Sequence, residues 1–354
     1  MPFARAFAVA LALLACLLPA AARANPLLLI DAQTTEVLYA RDAGQPWHPA
    51  SLTKLMTAYV AFAAISAGRL DLDTPIKISR NAWNQAPSKS GLEVGTSVTL
   101  KDALYILIVK SANDIAVAIA EAVSGSEDKF VIEMNDMARA MGLSATRFVN
   151  PHGLHSPQQV SSARDLAVLS LYIRRDFPQY LPMFATEMVT LGTTKFESNN
   201  GLLTSFAGTT GMKTGYVCAS GLNIVASIER GGRSYIAVVL GGASARERNE
   251  MAAEMVVNAT GGRMQGTGVS VVALDNQSGQ PAFNMRPQIC GADSKAFAAE
   301  REAAYPYGLR GQPTFLTDEV RAAVYAATDL GKLVDVPLPR RRPDWAPTMA
   351  AALR

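Results

Sequence analysis

Residues 222-LNIVASIERGGRSYIAVVLG-241 hold two β-rich runs, 222–229 and 234–241, on either side of the turn signal 230-RGGR-233. β-Branched and apolar side chains suit a pleated surface, and paired glycines supply the positive φ that a tight hairpin needs. The stretch predicts an antiparallel hairpin. Its counterpart lies near the other end, where 27-LLLIDAQTTEVLYARDA-43 reads as two short strands, Leu27–Asp31 and Glu36–Arg41, around a turn.

The residues between these strands carry helical patterns. One runs from about Ser51 to Ala67 and is ended by Gly68. Residues 100–125 hold two apolar patterns broken near 110-KSAND-114. Others span 127–142 and 163–176, and 246–260 reads as a closing helix. Strands at both ends with helices between them suit a sheet completed by distant segments. The expected class is α/β of the α+β kind: an antiparallel sheet sandwiched by helices, with a helical insertion. After Gly262 the signal weakens. Helical fragments are expected around 295–305 and 316–331, followed by an extended, solvated stretch, 337-PLPRRRPDWAP-347. The alternating strands of a second β domain are not evident, and there is no internal repeat.

At 354 residues, 49% hydrophobic and 18% charged, the chain is long enough for one large core, or one core with a small addition. Its first 24 residues differ from the rest. Arg5 leads into an apolar run from Ala6 to Leu18, then Pro19, then Ala22-Arg23-Ala24 before Asn25. A basic start, an apolar middle and an A-x-A site predict a cleaved secretory signal peptide and export to the periplasm or cell envelope. An uncleaved membrane anchor is the alternative. The box 13-LLAC-16 resembles a lipoprotein site at Cys16, but the apolar run continues past it. Removing Arg5 and Arg23 with the leader leaves 31 basic against 30 acidic residues. With no basic stripe, a nucleic-acid partner is not expected. The organisation expected is a leader at 1–24, a catalytic domain at 25–262 and an extension at 263–354.

Three short motifs carry the chemistry: Ser51-x-x-Lys54, Ser111-x-Asn113 and 213-KTG-215. Singly each is cheap. Ser126 and Lys129 repeat the first spacing, and Ser198 and Asn200 the second. The ordered set is the signal. Positions i and i+3 share a helical face, so Lys54 can reach the Ser51 hydroxyl. A serine hydroxyl needs a neighbour to take its proton, and Lys54 can do so only when neutral. Burial and a second cation, for which Lys213 is a candidate, both lower a lysine pKa. At a helix start the backbone N–H of Ser51 is free to act as an oxyanion donor. Ser111 is a candidate proton relay, and Asn113 an amide orienting Lys54 and substrate. Lys213 and Thr214 can hold a carboxylate, and Gly215 lets a ligand approach the strand. The same residues also suit helix caps, a solvated lysine and an ordinary edge strand. Cys218 lies beside the third motif and Cys290 in the extension. In an exported chain they form a disulfide or remain two buried thiols, and the tethered form is the expectation.

On these motifs, and on 49-PASLTKLMTAYV-60, 92-LEVG-95, 107-LIVKSANDIAVAIAE-121, 149-VNPHGL-154, 163-ARDLA-167 and 211-GMKTGYVCASGLNIVAS-227, the chain resembles the serine D-alanyl-D-alanine carboxypeptidases. These belong to the low-molecular-weight penicillin-binding proteins, which share the three-motif set with class A β-lactamases. The resemblance covers about Asn25 to Gly262. It implies that Ser51 is acylated by the D-Ala-D-Ala end of a peptidoglycan stem peptide, and that β-lactams react at the same serine. It also implies that Lys54 is the base, with Ser111 and Asn113 completing the proton path. The N–H groups of Ser51 and Tyr216 would form the oxyanion hole, and Lys213, Thr214 and Arg248 would bind the substrate carboxylate. No metal and no cofactor are implied. Thr210 stands where the family often has aspartate. The end of the chain matches neither the family's β-rich second domain nor its amphipathic anchor, so stable membrane anchoring is not expected.

A D,D-endopeptidase cutting cross-links would use the same site. A class A β-lactamase ranks lower, because 149-VNPHGL-154 offers no glutamate in a matching position. A non-catalytic wall-binding protein ranks lower too, given the complete Ser–Lys–Ser–Asn–Lys set.

Overall fold

The computed structural model describes residues 25–332. The expected leader with Cys16, the 340-RRR-342 run and the end at 348–354 lie outside the described residues. In chain order the main elements begin with β1 (Leu27–Asp31) and β2 (Val37–Arg41), then a 3₁₀ turn (Ala50–Thr53) leading into α1 (Lys54–Ser66). There follow β3 (Pro75–Lys77), β4 (Thr96–Thr99), α2 (Leu100–Val109), α3 (Asn113–Ser124), α4 (Glu127–Ala140) and α5 (Ala163–Asp176). Next are β5 (Thr186–Leu191), β6 (Thr194–Glu197), β7 (Thr209–Val217), β8 (Gly221–Arg230), β9 (Arg233–Gly242) and α6 (Ala245–Thr260). The extension adds α7 (Arg286–Cys290), α8 (Ser294–Ala304), β10 (Ala323–Ala327) and β11 (Asp329–Lys332). No helix among the described residues is long and apolar enough to cross a membrane.

The central sheet has the order β2-β1-β9-β8-β7, and each pairing is antiparallel. The terminal strands thus meet in space as their spacing suggested. The hairpin turns at Gly231 and Gly232, both with positive φ, and residues facing opposite ways along each strand divide between two cores. Leu28, Ile30, Ile236, Val238 and Leu240 pack into the large helical core with α1, α2, α3 and α5. Leu27, Leu29, Ile224, Ala226, Ala237 and Val239 pack with Met251, Met255 and Val256 of α6 on the other side. Because both faces are covered, β8 and β9 read as near-continuous apolar runs rather than alternating ones.

Helix starts follow capping chemistry. The side chains of Thr99, Ser126, Ser162 and Ser244 each accept the backbone N–H three residues on, opening α2, α4, α5 and α6. Such a cap is worth about 1 kcal/mol.

The extension departs from expectation at 316–331, which is not helical. β10 runs parallel to β5 and β11 antiparallel to β4, extending the small sheets β10-β5-β6 and β11-β4-β3. Alanine and leucine there favour a helix, but a short isolated helix is marginal in water. The open edges of β5 and β4 supply unpaired backbone groups instead. Tyr325 anchors the pairing: its ring stacks on Tyr105 at 3.6 Å between centroids, and its hydroxyl donates to Asp102 Oδ1 at 2.7 Å.

Candidate active site

A cleft of about 400 Å³ opens where the Ser51 turn, the α2–α3 break, the 150–154 loop and strand β7 converge. Ser51 lies in the 3₁₀ turn ahead of α1. Neither Pro49 nor Thr53 makes a side-chain cap bond there, and the Ser51 hydroxyl faces Lys54. Ala50, just before it, has φ +50°, a conformation costing roughly 1–3 kcal/mol for a residue with a Cβ. Close packing holds this turn in place. A Cβ on Gly153 would stand 1.9 Å from Ala50 O, and one on Gly215 would stand 2.9 Å from Ser51 N and Pro49 O.

Lys54 is 1% exposed. Its Nζ lies 3.1 Å from Ser51 Oγ, and donates to Asn113 Oδ1 at 2.7 Å and to the His152 carbonyl at 2.6 Å. A neutral amine has two N–H donors and one lone pair. The two carbonyl acceptors occupy the donors, and the third direction points at the serine hydroxyl. Burial first, and then the charge of Lys213, hold the Lys54 pKa well below its usual value, while Asp114 opposes them. The Asn113 amide is locked because its Nδ2 donates to Ala86 O at 2.9 Å, which leaves Oδ1 for Lys54. Ser111 has φ +61°, lines the cleft and carries a buried hydroxyl with no hydrogen-bond partner among the described residues.

On the facing wall, Lys213 of β7 is buried and donates to Thr214 O at 3.0 Å. Burial, with help from Arg248, brings its pKa down to about 7. Arg248, in the first turn of α6, donates to Asn199 O and to Asn249 Oδ1, both at 3.0 Å, and burial takes it down to about 10. Thr214, Gly215, Tyr216 and Arg248 line the cleft, and Arg248 is the sole charged residue among its lining residues. The arrangement favours an anionic group bound beside a hydroxyl that an amine can deprotonate. Among the described residues no cluster of three or more His, Cys, Asp or Glu is placed to hold a metal.

The structure brings Ser51, Lys54, Ser111, Asn113, Thr214, Gly215, Tyr216 and Arg248 to one cleft, with Lys213 buried behind it. The two look-alike pairs fall elsewhere. Ser126 caps α4, and the Ser198 hydroxyl accepts the Asn200 N–H in a local turn. Cys218 and Cys290 are joined at the cleft rim. Sequence reasoning missed the His152 carbonyl, a backbone group whose position no side chain announces. It also missed Asp114, buried next to Asn113 and accepting from Ser90 N at 3.0 Å and Ser90 Oγ at 2.6 Å. The acid within 110-KSAND-114 was the available signal.

Residues 16–244 match the peptidase S11 family, described as D-alanyl-D-alanine carboxypeptidase. The D-alanyl-D-alanine carboxypeptidase DacD of Salmonella typhimurium is 37% identical over 245 residues, covering 67% of this chain and 63% of that protein. The chain thus spans less than two thirds of that relative's length. The crystal structure of penicillin binding protein 6B from Escherichia coli superposes with a TM-score of 0.63 at 37% identity, over 68% of this chain and 78% of that one. A D-alanyl-D-alanine endopeptidase of Pseudomonas aeruginosa is 37% identical over 153 residues, 43% of this chain and 47% of that protein.

Proposed function

This chain belongs to the peptidase S11 family, the D-alanyl-D-alanine carboxypeptidases, and we propose that it removes the terminal D-alanine from peptidoglycan stem pentapeptides through an acyl-enzyme on Ser51. The observation carrying this reading is the enclosed Lys54 amine 3.1 Å from Ser51 Oγ. Burial lowers the pKa of this amine, which favours its neutral form, and that form takes the serine proton as Oγ attacks the penultimate D-alanine carbonyl. The N–H groups of Ser51 and Tyr216, at the seam where β7 meets the serine turn, receive the developing oxyanion. Collapse of the tetrahedral adduct expels D-alanine, whose amine takes a proton relayed by Ser111. Water then attacks the ester, its proton passing through Lys54 to the departing Ser51 Oγ, and this frees the shortened peptide and restores the hydroxyl.

The substrate's terminal carboxylate binds at Thr214 and Arg248, and Lys213 adds positive charge from behind the cleft wall. β-Lactams carry a carboxylate beside a reactive amide and acylate the same serine. Export, expected from residues 1–24, is supported by the Cys218–Cys290 bond, since disulfides persist in oxidising compartments. The reading is tested by incubating the protein with a labelled pentapeptide muropeptide. Mass analysis should find a tetrapeptide product, released D-alanine and an adduct on Ser51. An unchanged pentapeptide overturns it.

The likeness to the Pseudomonas endopeptidase supports a second reading, cleavage of D,D-cross-links at the same serine. Conversion of muropeptide dimers to monomers, with pentapeptide monomers left intact, would favour it.

A further inference from the structure

The family match ends at residue 244, yet the segment after α6 reaches both walls of the cleft. At one wall, Cys290 at the end of α7 is bonded to Cys218, just past β7, with Cα atoms 5.6 Å apart. The Tyr216 hydroxyl lies 3.3 Å from Cys290 Sγ, and Met285 N donates to Ala219 O at 2.9 Å. At the other wall, Arg301 of α8 pairs with Glu247, donating from Nε at 2.7 Å. Glu247 is fully buried. Its N–H donates to the capping Ser244 hydroxyl at 3.1 Å, and its carboxylate accepts the Ala243 N–H at 2.7 Å. It is therefore built into the first turn of α6, next to Arg248. Arg246 in the same turn donates to the carbonyls of Tyr305 and Tyr307.

We propose that residues 285–307 are a positioning clamp. Cys290 holds the end of β7, Arg301 and its neighbours hold the start of α6, and together they fix the separation of Thr214 and Tyr216 from Arg248. The clamp thereby sets selectivity for substrates that end in a free carboxylate. Cys290 and Arg301 touch no substrate; they act through the residues that do. The proposal rests on the carboxypeptidase reading for the identity of its ligand. Its physical basis is that charge-assisted recognition of a carboxylate needs donors from two elements held in register. A misplacement of about 1 Å can cost on the order of 100-fold in reactivity.

The test uses the full chain and two substrates, an acylated Lys-D-Ala-D-Ala peptide and its C-terminal amide. In Cys218→Ser/Cys290→Ser, and separately in Arg301→Met, KM for the acid should rise about tenfold while KM for the amide stays within about twofold. The acid-over-amide preference in kcat/KM should fall accordingly, and Arg301→Lys should recover part of it. If both substrates lose equally, or only the thermal midpoint drops, the clamp idea is wrong. If the wild type cleaves neither peptide, the proposed activity fails rather than the clamp. The clamp is then read from the second-order rate of penicillin labelling, since the ring carboxylate needs the same donors. A fall of less than about threefold in both variants overturns it.

Discussion

Lys213 on β7 and Lys54 on α1 are two lysines buried around one cleft, and the charge of the first lowers the pKa of the second. Burial lowers the Lys54 pKa most, Lys213 lowers it further, and Asp114 raises it. Acylation needs the neutral amine, so its rate should fall as pH drops through the folded-state pKa of Lys54. Lys213→Gln should move that acid limb to higher pH, and Asp114→Asn should move it to lower pH. The second-order rate of penicillin labelling, measured across pH, checks both. Shifts in the same direction would contradict the charge arrangement.

Lys213 itself should lower stability at neutral pH. Its folded pKa is about 7, against about 10.4 for an unfolded lysine. Between those values the unfolded chain binds the extra proton, so stability rises with pH, by at most about 1.4 kcal/mol per unit. Below about pH 7 both states are charged and the full burial penalty stands. Lys213→Met should therefore be more stable than the wild type at pH 7, and the gap should close as pH approaches 10. Urea unfolding at the two pH values reads this directly. A variant less stable than the wild type at pH 7 would mean that the bond to the Thr214 carbonyl outweighs the buried charge.

Two glycines hold the nucleophile's turn, and they should fail differently. A methyl at Gly153 meets the Ala50 carbonyl at 1.9 Å and sits at φ +88°. Gly153→Ala should cost several kcal/mol, of order 3 or more, through clash and strain together. Gly215→Ala has no left-handed φ to oppose it, but its methyl presses at 2.9 Å on Ser51 N. It should cost less stability than Gly153→Ala and lose at least about tenfold in acylation rate, because the serine and β7 are pushed apart. Thermal melts beside penicillin labelling separate the two effects.

The sequence carried the parts of this molecule that rest on local chemistry. Leu27–Asp31 and Ala163–Asp176 are bounded as the patterns suggested, since apolar periodicity and a capping Ser162 are local signals. Ser51, Lys54, Ser111 and Asn113 were legible as a set because their order along the chain mirrors the walls of the cleft. What escaped notice depends on distant backbone. The His152 carbonyl is aimed by a loop held by Asn150, whose Oδ1 accepts the Gly153 N–H at 2.7 Å. The strands at 323–332 exist because β5 and β4 left edges open, and the local sequence prefers a helix. The ion pair of Arg301 with Glu247 joins residues 54 positions apart, and neither has a local pattern that announces the other.

The cleft also predicts how a penicillin adduct should decay. Its lining residues include no carboxylate, so water reaching the Ser51 ester finds no acidic side chain there to serve as a separate base. In a peptide acyl-enzyme the leaving D-alanine departs and opens a path for water. In a penicillin adduct the leaving amine stays attached through the opened ring and blocks that path. Fluorescent penicillin should therefore label the protein one to one and persist for minutes or longer, while nitrocefin turnover stays slow after a single burst. Ser51→Ala should take no label while keeping the wild-type far-UV spectrum, since the hydroxyl makes no cap bond. Sustained rapid nitrocefin hydrolysis would show that a deacylating base operates in this cleft after all. Labelling that survives Ser51→Ala would move the nucleophile elsewhere.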